Sequence, residues 1–528
     1  LIINIYRVKT VINSPNNAKQ AGGIMNLIDI LFRAGKEAGG KVFMAEQKKK
    51  MTYAKTCSEV VRFASGLARL GIKKGDRVAI LLNNCTEFVV AYFAVIYAGA
   101  EAVPVNTFLR YEEIDYILKD CGAKCIVTSS DFKGIIKELG TLPELKNYIS
   151  IGEIPAAYTP YEAVFNDEKI ASGEIKDEGT AVIIYTSGTT GYPKGALLTH
   201  RNLISNVDAA TRAIKVLNKD RFILFLPMFH ALTFTVCILL PIYRLNFVRI
   251  MKSVLPFSNI IKSLVFDRIS VFVAIPQVFN VLSMRKIPRI AMWLLNVRVC
   301  VSGAAPLPGE VLTRFEKRFH IPLLEGYGLS EASPVVSVNP LDAERKPGSV
   351  GIALPGVHAA IMDENGVRMK TGEEGEIAVS GPNVMKGYLN KPDDTASAIK
   401  DGWLYTGDIG RIDADGYIYI LDRKKDLIIV NGMNLYPREV EDVLYKNPAV
   451  EDAAVVGIKD ETHGEIPIGV IKLKEGRTST DLEMRQFCKK HLANFKVPHR
   501  FEFWQELPRT GTGKILKREI KRILNEKK

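Results

Sequence analysis

The chain has 528 residues, 47% of them apolar, and a net charge of +13. That length is too great for one hydrophobic core and predicts two to four domains or subdomains of a globular protein. Seven scattered cysteines, at 57, 85, 121, 125, 237, 300 and 488, give neither a disulfide framework nor a zinc-finger spacing, and fit buried thiols in a reducing compartment.

The positive charge suits acidic ligands or an anionic membrane surface. Basic segments such as Lys48-Lys49-Lys50 and Lys424-Lys425 define no nucleic-acid groove, so no nucleic-acid partner is expected. The first residues, LIINIYRVKTVINS, are broken by Arg7, Lys9 and Asn13, and no cleavage pattern follows. Met25-Asn26-Leu27-Ile28 reads as a more natural start, so residues 1–24 are expected to be an extension outside the fold. The apolar run Ala231–Ile242 is too short to span a bilayer. Its extension back to Phe222 is broken by Pro227 and His230, which makes it buried core.

Over Met51–Leu70, apolar residues at Val60, Phe63, Ala64, Leu67 and Leu70 recur at helical spacing, and Gly71 stops the run. Asp76–Leu82 reads as a strand, Thr86–Ala98 as a helix, Gly99–Val105 as a strand, Tyr111–Asp120 as a helix and Cys125–Val127 as a strand. This alternation predicts α/β units around parallel sheets. Gly179–Tyr185 is a further strand, rich in Val, Ile and Tyr. It leads into YTSGTTGYPKG, residues 185–195, after which Ala196–Thr199 is apolar and Thr199 or His200 opens a helix.

The loop is dense in small and hydroxyl residues. Glycine lets a backbone approach a ligand, consecutive N–H groups can cradle an anion, and Lys194 adds positive charge. Its position between apolar segments favours a phosphate-binding loop over a flexible surface loop. It is no ordinary P-loop, because Pro193 precedes Lys194 and Gly195 follows it. Phe222–Leu226, Val271–Ile275 and Val297–Val301 read as further strands. From about residue 340 to 422, Pro, Gly and short strands predict a β-rich subdomain. Beyond Asp422, helices at Pro437–Tyr445 and Asp481–His491 with strands near Ala453–Gly457 and Ile468–Lys472 predict a small α+β domain. The charged stretch Asp422–Asp426 between them reads as a surface connection or a hinge.

Several strands end in small or polar residues: Pro227–His230, Ser302–Pro306 and Glu325–Glu331. Ligands gather beyond strand C-termini in open α/β sheets. Taken in order, YTSGTTGYPKG, YGLSE, YTGD, LDRKKD and PRTGTGK make the chain resemble the adenylate-forming, or AMP-binding, superfamily over about residues 27–525. That superfamily holds acyl-CoA synthetases, adenylation domains of peptide synthetases, and luciferases. Departures are small: Ser330 stands where threonine is common, and Asn431 and Met433 replace commoner choices.

The resemblance implies the adenylate-forming enzyme fold: a large N-terminal domain, 25–422, of stacked α/β subdomains plus the β-rich one, and a mobile C-terminal domain, 423–528, hinged at Lys425. It implies a two-step reaction. A carboxylate attacks the α-phosphorus of ATP, giving acyl-adenylate and pyrophosphate, and a thiol then displaces AMP. ATP, Mg²⁺ and coenzyme A are the implied cofactors. Carried over, Thr186, Ser187, Gly188, Thr189, Thr190, Gly191 and Lys194 wrap the β- and γ-phosphates, with Ser330 also at phosphate. Glu331 holds Mg²⁺. Tyr327 stacks on adenine, beside Gly328, with Gly303, Ala304 and Ala305 lining the pocket. Asp408 takes the ribose hydroxyls and Arg423 contacts ribose and phosphate. Lys514 reaches the carboxylate and α-phosphate, and with Glu331 and Thr186 forms the catalytic set. Gly432 lines the pantetheine channel.

His230 either gates the acyl pocket, orients the carboxylate or is a structural histidine. The uncharged stretch that follows, with Phe234, favours an apolar tail, since each buried CH₂ contributes about 0.8 kcal/mol. A medium- or long-chain fatty acid is the expected substrate, with an aryl acid as the alternative acid and a carrier protein as the alternative acceptor. A binding protein without turnover is disfavoured, because Lys194, Glu331, Asp408, Arg423 and Lys514 are all present. The resemblance places the chain in the cytoplasm and is compatible with peripheral contact at the inner face of the membrane and with a homodimer.

Overall fold

A computed structural model of the chain describes residues 26–138, 142, 144–153, 158–168, 170, 175–186, 192–285, 292, 294–431, 433–460, 464–509 and 514–526. Helix Leu27–Ala38 opens it, capped by Asn26, whose side chain accepts from the amides of Ile28 and Asp29 while Asp29 accepts from the Asn26 amide.

Among the described residues the first sheet has eight strands. Arg77–Ile80, Glu101–Pro104, Cys125–Ser129 and Asn147–Ile151 run parallel, joined through helices as βαβ units require. Helix Thr86–Tyr97 is buried from Phe88 through Ile96. A helix apolar on every side belongs inside a large core. This one lies in a continuous core that joins Val78 and Ile80 of the first sheet to Phe222, Leu224 and Val271 of the second. Among the described residues the second sheet has nine strands. Leu323–Gly328, Val299–Ser302, Val271–Ala274, Arg221–Leu224, Phe247–Ile250 and Val42–Glu46 form its parallel centre, and antiparallel strands finish both edges.

The third sheet is antiparallel throughout: His358–Met362, Gly375–Ser380, Trp403–Ile412, Ile399–Lys400 and Ile418–Arg423. The short turn Lys424–Asp426 then leads into the small C-terminal domain. There a long hairpin, Val450–Asp460 with Gly464–Leu473, carries helices Pro437–Tyr445, Asp481–Lys489 and Lys517–Glu526, and it packs cores of its own on its two faces. The architecture is thus a large α/β body with mixed sheets and a smaller α+β domain, as the sequence leads one to expect.

Two local differences have physical reasons. The strand expected at Val297–Val301 is Val299–Ser302. Val297 instead lines a small apolar cavity with Leu282, Cys300 and Phe315, so packing satisfies it rather than pairing. The apolar residues after the glycine-rich loop, Lys194–Thr199, turn back as a strand antiparallel to Thr180–Thr186, so the sheet is not purely parallel. The run Ala231–Ile242 is a buried helical stretch that includes a π-turn at Thr235–Leu239. Among the described residues no helix is long and apolar enough to cross a membrane.

Candidate active site

The candidate site residues stand at the ends of several strands. Thr186 closes its strand, and Lys194 stands directly opposite it on the return strand. The loop between them carries Ser187, Gly188, Thr189, Thr190 and Gly191, which lie outside the described residues, as does Gly432. Glu331 sits in the tight turn Ser330–Ala332 that follows strand Leu323–Gly328. Its Oε1 accepts from the Thr186 hydroxyl and from the Tyr388 hydroxyl, each at 3.0 Å. Tyr388 belongs to the two-residue strand Gly387–Tyr388, which pairs with the Lys194–Thr199 strand. Lys194 Nζ lies 2.5 Å from Asp394 Oδ1 and 5.6 Å from the centroid of the Tyr388 ring. Burial, then the neighbouring Glu331 and Asp394 carboxylates, push the Tyr388 phenol well up, so it donates rather than ionises.

A second group forms across the third sheet. Asp408 is buried and stands opposite Arg423 in the ladder. Its Oδ1 meets Arg423 Nε at 3.2 Å, and its Oδ2 accepts from the Tyr327 hydroxyl at 2.6 Å. The ring expected beneath adenine is therefore tied to the carboxylate expected at ribose. Beside them, Gly303 leaves the end of strand Val299–Ser302, followed by Ala304, in a left-handed conformation, and Ala305. A Cβ on Gly303 would approach Leu232 Cδ2 at 3.1 Å, and one on Gly328 would strike the Pro334 carbonyl at 2.1 Å. Only glycine permits that second approach.

Lys514 comes from the C-terminal domain. Lys514 keeps an exposed surface; desolvation by its neighbours lowers its pKa, helped by the positive charge of Arg423, while Asp408 and Glu331 pull the other way. The same lysine is felt by His230. Burial first, and then Lys514, hold that imidazole's pKa down to about 4. His230 Nδ1 accepts from the Leu232 amide at 3.3 Å, which leaves the proton on Nε2 of a neutral ring. Thr186, Lys194, Glu331, Tyr327, Asp408, Arg423, His230 and Lys514 are thus linked through contacts and through each other's fields.

Other expected residues lie differently. Ser330 is half-buried beside Glu331, and Lys425 is exposed in the turn joining the third sheet to the C-terminal domain. Phe234 packs in an aromatic cluster: its ring lies 4.0 Å from that of Tyr92 and 5.8 Å from that of Phe88. The side chain that reaches toward Gly303 is Leu232, two residues earlier. Tyr388 and Asp394 were missed by sequence reasoning. Their signal is the stretch GYLNKPDD after strand Gly375–Ser380, an aromatic between a glycine and a helix-starting proline.

Among the described residues no group of three or more His, Cys, Asp or Glu could hold a metal ion. Mg²⁺ retains water and takes phosphate oxygens with one or two carboxylates, so the lone Glu331 suits it better than a protein cage would.

Residues 31–389 match the AMP-binding enzyme family, and residues 439–514 match the AMP-binding enzyme C-terminal domain. A long-chain-fatty-acid–CoA ligase of Bacillus subtilis (strain 168) is 35% identical over 506 residues, covering 89% of this chain and 90% of the relative. A feruloyl-CoA synthase of Amycolatopsis sp is 34% identical over 474 residues, covering 89% and 94%. ATP-bound MatB from Rhodopseudomonas palustris superposes with a TM-score of 0.88 at 29% identity, over 95% of this chain and 99% of that one. Apo MatB superposes over the same shares with a TM-score of 0.77 at 30% identity. Family match, fold and the converging side chains agree: the chain belongs to the AMP-binding enzyme family, as an adenylate-forming acid–thiol ligase.

Proposed function

We propose that the protein activates a carboxylic acid with ATP, releasing pyrophosphate, and passes the acyl group from the adenylate to the thiol of coenzyme A. The observation that carries this reading is the pair of contact groups Glu331–Thr186–Tyr388 and Asp408–Arg423–Tyr327, with Lys514, from the C-terminal domain, in the fields of Arg423, Asp408 and Glu331. ATP and a carboxylate repel each other, so their reaction needs cations and N–H donors aimed at the charge that develops. Lys194 and the loop before it would take the β- and γ-phosphates. Lys514 would bridge the acid's carboxylate and the α-phosphate. Arg423, already on Asp408, would stand beside the ribose and phosphate. Mg²⁺ held at Glu331 would supply charge neutralisation to the phosphate oxygens. Neutral His230 leaves an Nε2–H donor that could hold the acid's carboxylate in line. Residues 423–528 would then turn about Lys425 between the two steps and withdraw Lys514. The closer match to ATP-bound than to apo MatB supports the present pose as the one for adenylation.

For the acid we infer a broad class with an uncharged body, and an aryl or other non-fatty acid as the leading reading. The apolar run after His230 was the main argument for a long tail, and Phe234 in that run packs in an aromatic cluster with Tyr92 and Phe88, which suits a flat ring as well as a chain. Similarity to a feruloyl-CoA synthase supports an aryl acid. Similarity to long-chain ligases keeps a fatty acid as the second reading.

The test is pyrophosphate release over a panel of benzoate, hydroxycinnamates, dicarboxylates and even-numbered fatty acids from C4 to C18, with and without coenzyme A. AMP and pyrophosphate are expected; ADP and phosphate would overturn adenylation. An aryl acid exceeding every fatty acid about tenfold in kcat/KM supports the leading reading, and a dicarboxylate that does so would overturn the uncharged body. A broad peak within C8–C16, changing by at most about fourfold per methylene, establishes the second. Turnover that needs a carrier protein in place of coenzyme A would move the acceptor assignment.

A further inference from the structure

Asp394 has no part in the reaction as drawn above, yet it holds the positive charge of the phosphate hairpin. Lys194 is the only Lys or Arg between Thr180 and Thr199. Its ammonium lies 2.5 Å from Asp394 Oδ1, with the lysine side chain 13% exposed and the aspartate 34%. Asp394 sits in the first turn of helix Pro392–Ala398. The next residue, Thr395, accepts from the Tyr388 amide at 2.9 Å, which fixes this helix to the tyrosine. The Tyr388 ring faces the Lys194 ammonium while its hydroxyl holds Glu331. One small unit therefore touches both the cation and the carboxylate that ATP's outer phosphates would meet.

An ammonium carries a single charge. Paired with Asp394, it offers a polyanion a nearly neutral partner; released, it offers a full positive charge. We propose that Asp394 is a positioning residue that competes with the β- and γ-phosphates of ATP, and with pyrophosphate, for Lys194. It would thereby set how tightly the polyphosphate is held and how readily pyrophosphate departs. The inference rests on the adenylation reading, because only that reading brings a polyphosphate to Lys194.

The experiment measures binding of MgATP, magnesium pyrophosphate and AMP by calorimetry, with the full chain. The proteins are the wild type, Asp394→Asn, Lys194→Ala, the double variant and Asp394→Glu. Asp394→Asn keeps the size and one acceptor oxygen but loses the charge. It should bind MgATP and pyrophosphate about fivefold more tightly, the worth of a partly exposed ion pair. AMP has no outer phosphates, and its affinity should not change. In the Lys194→Ala background the asparagine should have no effect, and Asp394→Glu should behave as the wild type. In turnover, Asp394→Asn should lower KM for ATP and make pyrophosphate a stronger inhibitor. Asp394→Ser serves equally should the asparagine variant fail to fold. Unchanged or weaker MgATP binding with a lowered melting temperature would overturn the inference and leave the pair a structural tie. An equal gain for AMP, or a gain that survives in Lys194→Ala, would also overturn it. Wild-type protein that binds no MgATP would overturn the adenylation reading and this inference with it, whereas wild-type binding without a selective gain in the variant defeats this inference alone.

Discussion

Two buried side chains outside the phosphate group respond to pH in opposite directions. His200 Nδ1 accepts from the Leu27 amide at 3.3 Å, and burial holds its pKa at about 4 against the opposing pull of Asp177. Its contribution to stability is complete above the unfolded value near 6.5. It is lost as pH falls from there toward 4, because the unfolded chain takes the proton first. Glu325 accepts from the Leu307 amide at 2.9 Å, and burial pushes its pKa up to about 7, with Arg438 opposing. Its contribution is complete below the unfolded value near 4.5 and is lost as pH rises through 7. Each shift corresponds to about 3 kcal/mol at most. Glu325→Gln should therefore raise the apparent melting temperature at pH 8 and leave it nearly unchanged at pH 4. His200→Gln should flatten the loss between pH 6.5 and 4. Melting curves across that range check both. In the cleft, Lys514→Ala should slow adenylation about 10²–10³-fold, by analogy with loss of an oxyanion donor. Given ready-made acyl-adenylate and coenzyme A, it should form thioester at a near-normal rate; equal loss in both half-reactions would contradict a lysine that withdraws. The motif residues were legible because each motif is a local word. Tyr388 and Asp394 were not, since their partners lie 57 and 200 residues away and no short pattern links them.

Elements were legible where one periodicity dominated. Helices Tyr111–Asp120 and Pro437–Tyr445 have the expected bounds. The helix expected from Met51 begins at Tyr53, because Lys49–Thr52 pairs with Val42–Glu46 and Thr52 accepts from the Lys55 amide as its cap. Lysine-rich KKMT hides an edge strand, which is where charge is tolerated. The same helix shows what a sequence pattern cannot: a close crossing. A Cβ on Gly66 would lie 1.7 Å from the Val164 carbonyl oxygen, so helix Tyr53–Arg69 can dock on Tyr161–Val164 only with glycine there. Gly66→Ala should cost about 1–3 kcal/mol by overpacking. It should lower the apparent melting temperature and speed proteolysis near residues 161–170; an unchanged melting curve would show that the segment yields freely.

At the scale of the molecule, several bonds hold the C-terminal domain to the large body. Arg438 donates from its guanidinium to the Ile420 carbonyl at 3.0 Å and from its amide to Asp422 at 2.7 Å. Lys424 meets Glu376 at 2.9 Å. These bonds cross the turn at Lys424–Asp426. If residues 423–528 turn there, the Arg438 bonds belong to one pose only. Arg438→Ala should then lower the rate of adenylation several-fold, about 1 kcal/mol for a hydrogen bond of this kind, and spare thioester formation from preformed adenylate. Stopped-flow measurement of the two half-reactions decides it, and a slower second step would contradict a clasp specific to the first.

The tie between Tyr327 and Asp408 has a consequence for inhibition. Both lie on the large body, before the turn at Lys424, and one hydrogen bond joins them. If these two residues take base and sugar, those surfaces would stay in place whichever way the small domain faced. A stable adenylate mimic would meet this half of its contacts in every pose of the protein. Discrimination between this protein and its relatives would then have to come from the acyl half of the molecule, near Leu232 and His230, where this chain's own side chains set the fit.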